Sequence, residues 1–69
     1  MKQKELYIVE LLEYTESGMD YVEYNYDFDN RKDAMDFARK KRSYCKAIWY
    51  YKAGQTSDPQ DLIRAIWHT

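Results

Sequence analysis

The sequence predicts a small α+β domain: a three-stranded antiparallel sheet, one main helix packed on it, and a short C-terminal helix or fourth strand. Three observations predict this class. They are an apolar run followed by a strictly alternating one, a helical segment with clear start and end signals, and a second aromatic run after that helix. The predicted element order is β-β-α-β-α. A right-handed crossover between the second and third strands gives the order 2-1-3, with the most apolar strand in the middle.

The first two predicted strands form a hairpin. Residues 5–14 carry apolar side chains on both alternating faces, as a central strand does. Residues 19–28 alternate cleanly between two sets of side chains. One face holds Val22, Tyr24, Tyr26 and Phe28, and the other holds Tyr21, Glu23, Asn25 and Asp27. Residues 16–18 form the turn, in which Gly18 supplies the residue with positive φ.

The main helix is predicted from Asn30 to Ser43. Asp29 or Asn30 caps its first free N–H groups, and Asp33 lies in the first turn, where a carboxylate is favourable. A narrow apolar stripe with Phe37 as its anchor faces the sheet, and basic residues fill the last turn. That stripe consists of Ala34, Phe37, Ala38 and Lys41.

A third strand is predicted for residues 44–52, with Cys45, Ala47 and Trp49 on one face. For residues 58–67, Asp58 as N-cap and Pro59 at the first position favour a helix with Leu62, Ile63, Ile66 and Trp67 on one side. A fourth strand is the alternative. The main helix covers one face of the sheet, so the other face needs either the C-terminal segment or another molecule.

Composition restricts the classes of protein to consider. At 69 residues the chain has room for one domain. One cysteine excludes an intramolecular disulfide, and one cysteine with one histidine excludes a structural zinc site. Glutamates interrupt the apolar N-terminal run, which therefore lacks the pattern of a signal peptide. We expect an intact, soluble, cytoplasmic protein.

The net charge of −1 hides a strong segregation of charge. Residues 1–30 hold two lysines against eight acids, whereas residues 31–69 hold nine basic residues against four acids. Such a dipolar distribution is typical of proteins that bind charged surfaces.

Two binding surfaces follow from this segregation. The first is an acidic, tyrosine-rich surface on the hairpin, suited to a protein partner, such as a nucleic-acid-handling protein, with a basic surface. Its predicted binding residues are Glu13, Glu16, Asp20, Tyr21, Glu23 and Asp27. By general type, such small acidic domains are common among accessory proteins of phages and mobile elements that inhibit host defence proteins.

The alternative is direct nucleic-acid binding through the basic helix end and the aromatic third strand. Its residues would be Arg39, Lys40, Arg42, Tyr44, Lys46 and Tyr50. The sequence lacks the motifs of known nucleic-acid-binding modules.

Catalysis is not expected. Cys45 is predicted to be a buried, inert thiol, and the other partner for Cys–His chemistry, His68, lies two residues from the C-terminus. The two glycines, Gly18 and Gly54, form no phosphate-binding loop. We therefore expect no enzyme activity, no metal and no cofactor, and we expect a protein-binding inhibitor or adaptor.

A homodimer joined through the uncovered sheet face or a strand edge is a further prediction.

Overall fold

The computed structural model describes residues 4–67 as one antiparallel sheet with an α-helix packed on it. The elements are β1 Leu6–Tyr14, β2 Tyr21–Phe28, α1 Arg31–Lys40, β3 Cys45–Tyr51, β4 Gln60–Asp61 and a 3-10 helix Ile63–Ile66. The strand order is β2-β1-β3-β4. The α+β class and the order of the first three strands are confirmed, and β4 is the fourth strand that was the alternative to a C-terminal helix.

The hairpin is regular along its whole length. β1 and β2 pair without a bulge from Tyr7 opposite Phe28 to Tyr14 opposite Tyr21. The Thr15 N–H donates to the Asp20 carbonyl at 2.8 Å and closes the turn. Gly18 has φ +71°, a conformation that glycine adopts without a Cβ penalty, as the sequence predicts.

The helix α1 begins with a reciprocal cap. Asn30 Oδ1 accepts the Asp33 N–H at 2.8 Å, and Asn30 Nδ2 donates to the Asp33 carboxylate at the same distance. Asn30 is therefore the cap residue. The helix ends at Lys40, with Arg39 and Lys40 in the last turn, where cations favour the helix dipole.

The core lies on one face of the sheet, the helix face. It is formed by Tyr7, Val9, Leu11, Ala34, Met35, Ala38, Ile48, Leu62 and Ile66. Ala34 and Ala38 are fully buried, so small side chains let α1 approach the sheet closely. Phe37 is only half-buried and packs at the side of the core, against Tyr26 and Phe28, so the anchor of the helix is shared with Met35.

The predicted faces of β3 are wrong at its start. The register between β1 and β3 shifts between Glu10 and Leu11, so that Leu11 is opposite Cys45 and Glu10 is opposite Ala47. This bulge inserts Lys46 as an extra residue. Cys45 consequently packs against the core, and Lys46 reaches Glu10 and Glu23 on the opposite face.

The C-terminal segment is not the α-helix that was predicted for residues 58–67. Asp58 has φ +55°, which is incompatible with the extended backbone of an N-cap. Asp61 is the residue that organises the segment, because its Oδ1 accepts the N–H groups of Ile63 at 2.9 Å and Ile48 at 3.2 Å. The alternative, a fourth strand in this segment, is confirmed in the short strand Gln60–Asp61. Its expected inward residues, Ile63, Ala65 and Trp67, are not part of that strand, because Ile63–Ile66 is a 3-10 helix.

The 3-10 helix packs on the same side of the sheet as α1. Leu62 and Ile66 belong to the core cluster that contains Ala34 and Ala38. The second sheet face, which we call the open face, is therefore not covered by the C-terminal segment, at least through Trp67. The C-terminal segment, one of the two coverings that the sequence left open, therefore does not cover this face within the part of the chain described.

Candidate functional site

The open face combines an apolar stripe with charged groups. The alternation of each strand, together with the bulge at Lys46, determines which side chains lie on this face. They are Leu6, Ile8, Glu10, Leu12 and Tyr14 from β1, Tyr21, Glu23, Asn25 and Asp27 from β2, and Lys46, Ala47, Trp49 and Tyr51 from β3. Leu6, Ile8, Leu12, Trp49 and Tyr51 are half-buried by their neighbours alone. The face is thus apolar along β1 and β3 on either side of Glu10, and acidic along β2.

A polar cluster organises the middle of the open face. The Glu10 carboxylate accepts a hydrogen bond from Trp49 Nε1 at 2.9 Å and lies 3.3 Å from Lys46 Nζ. The hydrogen bond from Trp49 lowers the pKa of Glu10, and Lys46 adds to that effect against the opposing effect of burial. Lys46 also lies 3.3 Å from Glu23, and its hydrogen bonds to Glu10 and Glu23 raise its pKa.

The hairpin extends past the rest of the sheet. Pairing of β3 with β1 ends at Leu11, beyond which Leu12 donates one hydrogen bond to the Tyr44 carbonyl at 2.8 Å. Residues 13–22, the distal hairpin, are therefore two-stranded, and the molecule measures 45 × 26 × 18 Å. Tyr14 and Tyr21 stand opposite each other on the open face of this part, with ring centroids 6.4 Å apart and planes nearly perpendicular.

Exposed apolar surface is concentrated on the hairpin. Among residues 4–67, eight large apolar or aromatic side chains are exposed, and six of them lie between Tyr14 and Tyr26. Tyr14 is 72% exposed and Tyr21 is 59% exposed. Because single exposed apolar residues are ordinary but clusters mark interaction sites, this concentration singles out the hairpin.

The structure divides the predicted acidic set between two faces. Tyr21, Glu23 and Asp27 lie together on the open face of β2, and Glu16 and Asp20 lie exposed in the turn. Glu13 is on the helix face, where its carboxylate is 3.8 Å from Lys41 Nζ. Glu13 therefore does not share a surface with the other five residues.

The predicted basic set does not form one surface either. Lys46 lies on the open face between two carboxylates, whereas Tyr50 lies on the helix face and stacks on Tyr7 at 4.8 Å. Arg39 is 3.6 Å from Asp36 Oδ1, and the Arg42 guanidinium lies 4.0 Å from the Trp67 ring centroid. Lys40 and Tyr44 are exposed. Carboxylates or aromatic rings thus already contact most of the cations that would meet phosphates.

Cys45 is half-buried against the core, with Sγ 3.7 Å from the Ala47 carbonyl. Burial raises the pKa of this thiol to about 11, so it is protonated at neutral pH. Its proposed partner for catalysis, His68, lies outside the described residues.

A depression of about 480 Å³ lies beside the start of α1. It is lined by Lys4, Glu5, Tyr7, Asp29, Asn30, Arg31 and Ala53. The Tyr7 hydroxyl donates to Glu5 at 3.0 Å, and burial, together with that carboxylate, raises the pKa of Tyr7 to about 12. The depression is open and mixed in charge, and we assign no chemistry to it.

Two further observations apply to residues 4–67. They contain no group of three or more His, Cys, Asp or Glu side chains arranged to hold a metal ion. They also contain no helix with the length and apolar character needed to cross a membrane.

Sequence reasoning missed the polar cluster at Glu10 and the aromatic pair at Tyr14. The cluster depends on the bulge in β3, which no residue pattern in this sequence predicts. The pair had a usable signal, because a turn after Thr15 that returns at Asp20 places Tyr14 opposite Tyr21.

Comparison with known proteins finds no matching family model, no similar curated protein and no similar solved structure.

Proposed function

We propose that this chain is a non-enzymatic protein-binding module, an inhibitor or adaptor that covers a partner with its hairpin. The observation that carries the proposal is the distal hairpin, which is two-stranded and exposes Tyr14, Met19, Tyr21 and Val22. A two-stranded ribbon is marginally stable in water, and tyrosines are favoured at interfaces because they offer a large contact area at low entropic cost. Such a projection suits insertion into, or coverage of, a partner surface.

The charge of this surface suggests the character of the partner. Glu16 and Asp20 at the turn and Asp27 along β2 are exposed carboxylates on or beside the open face. They would meet Lys and Arg side chains, as on proteins that handle nucleic acids. We propose Tyr14 and Tyr21 as the apolar anchors and Glu16, Asp20, Glu23 and Asp27 as the charged rim; Glu13 is omitted because its side chain lies on the helix face.

We also propose a cytoplasmic location. A single cysteine with a buried, protonated thiol fits a reducing compartment, where structural disulfides are rare.

The test is affinity capture of partners from the source cell, followed by mass spectrometry, with three forms of the chain. The unmodified chain is expected to retain a defined partner, and a Tyr14→Ala, Asp20→Lys, Tyr21→Ala variant is expected to lose it. Lys32→Glu on the exposed side of α1 is the matched control and is expected to retain it. Retention of every partner by the hairpin variant would refute the proposal.

A parallel experiment addresses nucleic acid. Labelled DNA and RNA oligonucleotides are expected to show no mobility shift with this chain even at low salt. A shift that weakens steeply with salt would favour the basic helix end as the working surface instead.

A further inference from the structure

The two edges of the sheet differ in how they are closed. On the β3 side, β4 pairs with Trp49 and Tyr50, Leu62 donates to the Ile48 carbonyl at 2.8 Å, and Asp61 accepts the Ile48 N–H at 3.2 Å. On the other side, β2 pairs only with β1 among the described elements. The eight-residue strand β2 is therefore a long open edge.

The hydrogen bond of the turn fixes which residues of β2 face this edge. Thr15 N–H bonds to the Asp20 carbonyl, so Thr15 and Asp20 are a hydrogen-bonded pair of the antiparallel ladder. Because the register continues without a bulge, Val22, Tyr24 and Tyr26 also direct their backbone groups toward β1. The N–H and C=O groups of the intervening residues point outward; these residues are Tyr21, Glu23, Asn25 and Asp27.

Part of the usual protection of an edge strand is missing from β2. Natural edges are blocked by proline, by lysine, by a bulge or by a very short strand. β2 has neither proline nor lysine, it has no bulge against β1, and it is eight residues long. Its charges are carboxylates, which oppose another acidic strand but attract a basic one.

The side chains of β2 on the two faces of the sheet determine which residues an added strand would contact. On the open face, Glu23 and Asp27 would lie beside its side chains at about 5 Å. On the helix face, Val22, Tyr24 and Tyr26 are each about 40% exposed. Phe37 of α1 packs against Tyr26 at 4.8 Å between ring centroids and extends this apolar strip.

We propose that the edge of β2 binds an extended segment of a partner protein as a fifth strand. The segment's side chains would alternate, with Lys or Arg toward Glu23 and Asp27 on the open face and apolar or aromatic residues toward Val22, Tyr24 and Tyr26. Backbone hydrogen bonds supply affinity in this mode of recognition, and the alternating side chains supply specificity. This inference rests on the proposed function and specifies how the hairpin engages its partner.

A second copy of the chain fits this edge poorly. Symmetric antiparallel pairing centred on Asn25 would place Glu23 opposite Asp27 of the other copy, with like charges facing. Pairing centred on Glu23 would place the two Glu23 carboxylates opposite each other. Pairing centred on Tyr24 would place Glu23 diagonal to the other Asp27. A basic strand would instead meet opposite charges, at Asp27 and at Glu23, which Lys46 also contacts.

The probe is an eight-residue peptide of alternating Lys and Val, added to the isotopically labelled full chain and followed by amide hydrogen exchange. Binding is expected to slow exchange at least about tenfold for the outward amides of Glu23, Asn25 and Asp27, one hydrogen bond being equivalent to roughly that factor. The amides of Tyr24 and Tyr26, already bonded to β1, are expected to change little. A peptide of the same composition with Lys and Val in blocks is the control, and alternating Glu and Val is a second.

Protection of both sets of amides alike, or of none, would overturn the proposal. So would a light-scattering mass of a dimer with the outward amides protected before peptide is added, since the occupant would then be a second copy.

The variant Asn25→Pro removes an outward N–H while sparing the bonds to β1, because edge strands tolerate proline at such positions. It is expected to weaken peptide binding at least about tenfold, whereas Asn25→Thr, which keeps the N–H, stays within about twofold. Should Asn25→Pro disturb the amide spectrum of β1, the variant Glu23→Lys, Asp27→Lys replaces it. This variant is expected to bind the alternating Glu–Val peptide more tightly than the alternating Lys–Val peptide. If it still binds the Lys–Val peptide more tightly, the inference is refuted.

The same variants separate this inference from the proposed function. If a captured partner is retained by Asn25→Pro but lost with the Tyr14 and Tyr21 replacements, the module binds through its open face and the edge proposal fails alone. If no hairpin variant affects capture, the proposed function fails as well.

Discussion

At the centre of the open face, Glu10 accepts a hydrogen bond from the Trp49 indole and contacts Lys46. Its side chain is only 14% exposed. In sequence it is one of several acids on the N-terminal half, with nothing to distinguish it from Glu13 or Glu16. The difference arises from neighbours brought by β3, which is 39 residues away along the chain at Trp49.

Glu10 is expected to make stability depend on pH. Its folded pKa lies below the ordinary value of 4.5, so its contribution is complete above about pH 4.5 and is lost as pH falls through the lowered folded pKa. Glu10→Gln, which keeps an acceptor but no charge, is expected to lower the free energy of unfolding at pH 7 by about 1–3 kcal/mol. Urea unfolding at a series of pH values from 7 to 3 measures both effects. The difference in free energy of unfolding between Glu10→Gln and the unmodified chain is expected to become smaller at low pH.

Glu16→Gln is the control for that series, because Glu16 is exposed in the turn. It should follow the unmodified chain at every pH. Parallel curves for Glu10→Gln and the unmodified chain would contradict the role given to Glu10.

Cys45 provides a second test at the residue scale. With a pKa of about 11, only about one thiol in a thousand is thiolate at pH 8, and the core restricts access as well. An aromatic disulfide reagent is expected to react at least about a hundredfold more slowly with the native chain than with the chain in urea. A Cys45→Ala, Ser57→Cys variant, with its thiol in an exposed loop, is the matched control and should react quickly when native.

At the scale of elements, local signals were reliable where a segment forms its own hydrogen bonds. Asp29 or Asn30 was predicted as the cap of α1, and the cap is Asn30. Gly18 was predicted to have positive φ and does. The segment 58–67 differs, because Asp58 and Pro59 carry a good helix-start signature while Asp61 forms the contacts that decide the structure. One of those contacts is to Ile48, which is remote in sequence.

Replacing Asp58 and Asp61 separately tests which of them stabilises the C-terminal segment. Asp61→Ala leaves the Ile48 and Ile63 N–H groups without their acceptor and is expected to lower the free energy of unfolding by about 1–2 kcal/mol. Asp58→Asn keeps a residue that tolerates φ +55° and is expected to change it by less than about 0.5 kcal/mol. Chemical denaturation measures both, and the reverse order of effects would restore Asp58 as the cap.

At the scale of the whole molecule, folding brings the acidic and basic parts of the chain into contact. Lys41 reaches Glu13, and Lys46 reaches both Glu10 and Glu23. The segregation of charge in sequence is therefore partly neutralised within the fold. Glu16 and Asp20 of the turn and Asp27 of β2 are exposed acids outside these pairs, and they support the proposal that the binding surface lies on the hairpin rather than on the basic helix end.

The shape of the molecule predicts unequal stability along the hairpin. Near Val9, β1 is flanked by β2 and β3 and covered by α1, whereas residues 13–22 have neither β3 nor the core beside them. Native-state amide exchange is expected to give a lower opening free energy for Val22 than for Tyr26, although both bond to β1. Equal values would mean that the distal hairpin is held by something besides its own two strands.

The sequence by itself determined the first four elements and their order, because alternation, capping and turn residues act over a few neighbouring positions. It also placed the side chains of β1 and β2 on the correct faces, since their pairing has no bulge. Only the tertiary structure decided the face of Cys45 and Lys46, the form of residues 58–67 and the side on which Leu62 and Ile66 pack. Each of these depends on contacts between residues far apart in the chain, whose free energies outweigh local preference. Within residues 4–67, the same contacts place no element over the open face or beside the edge of β2.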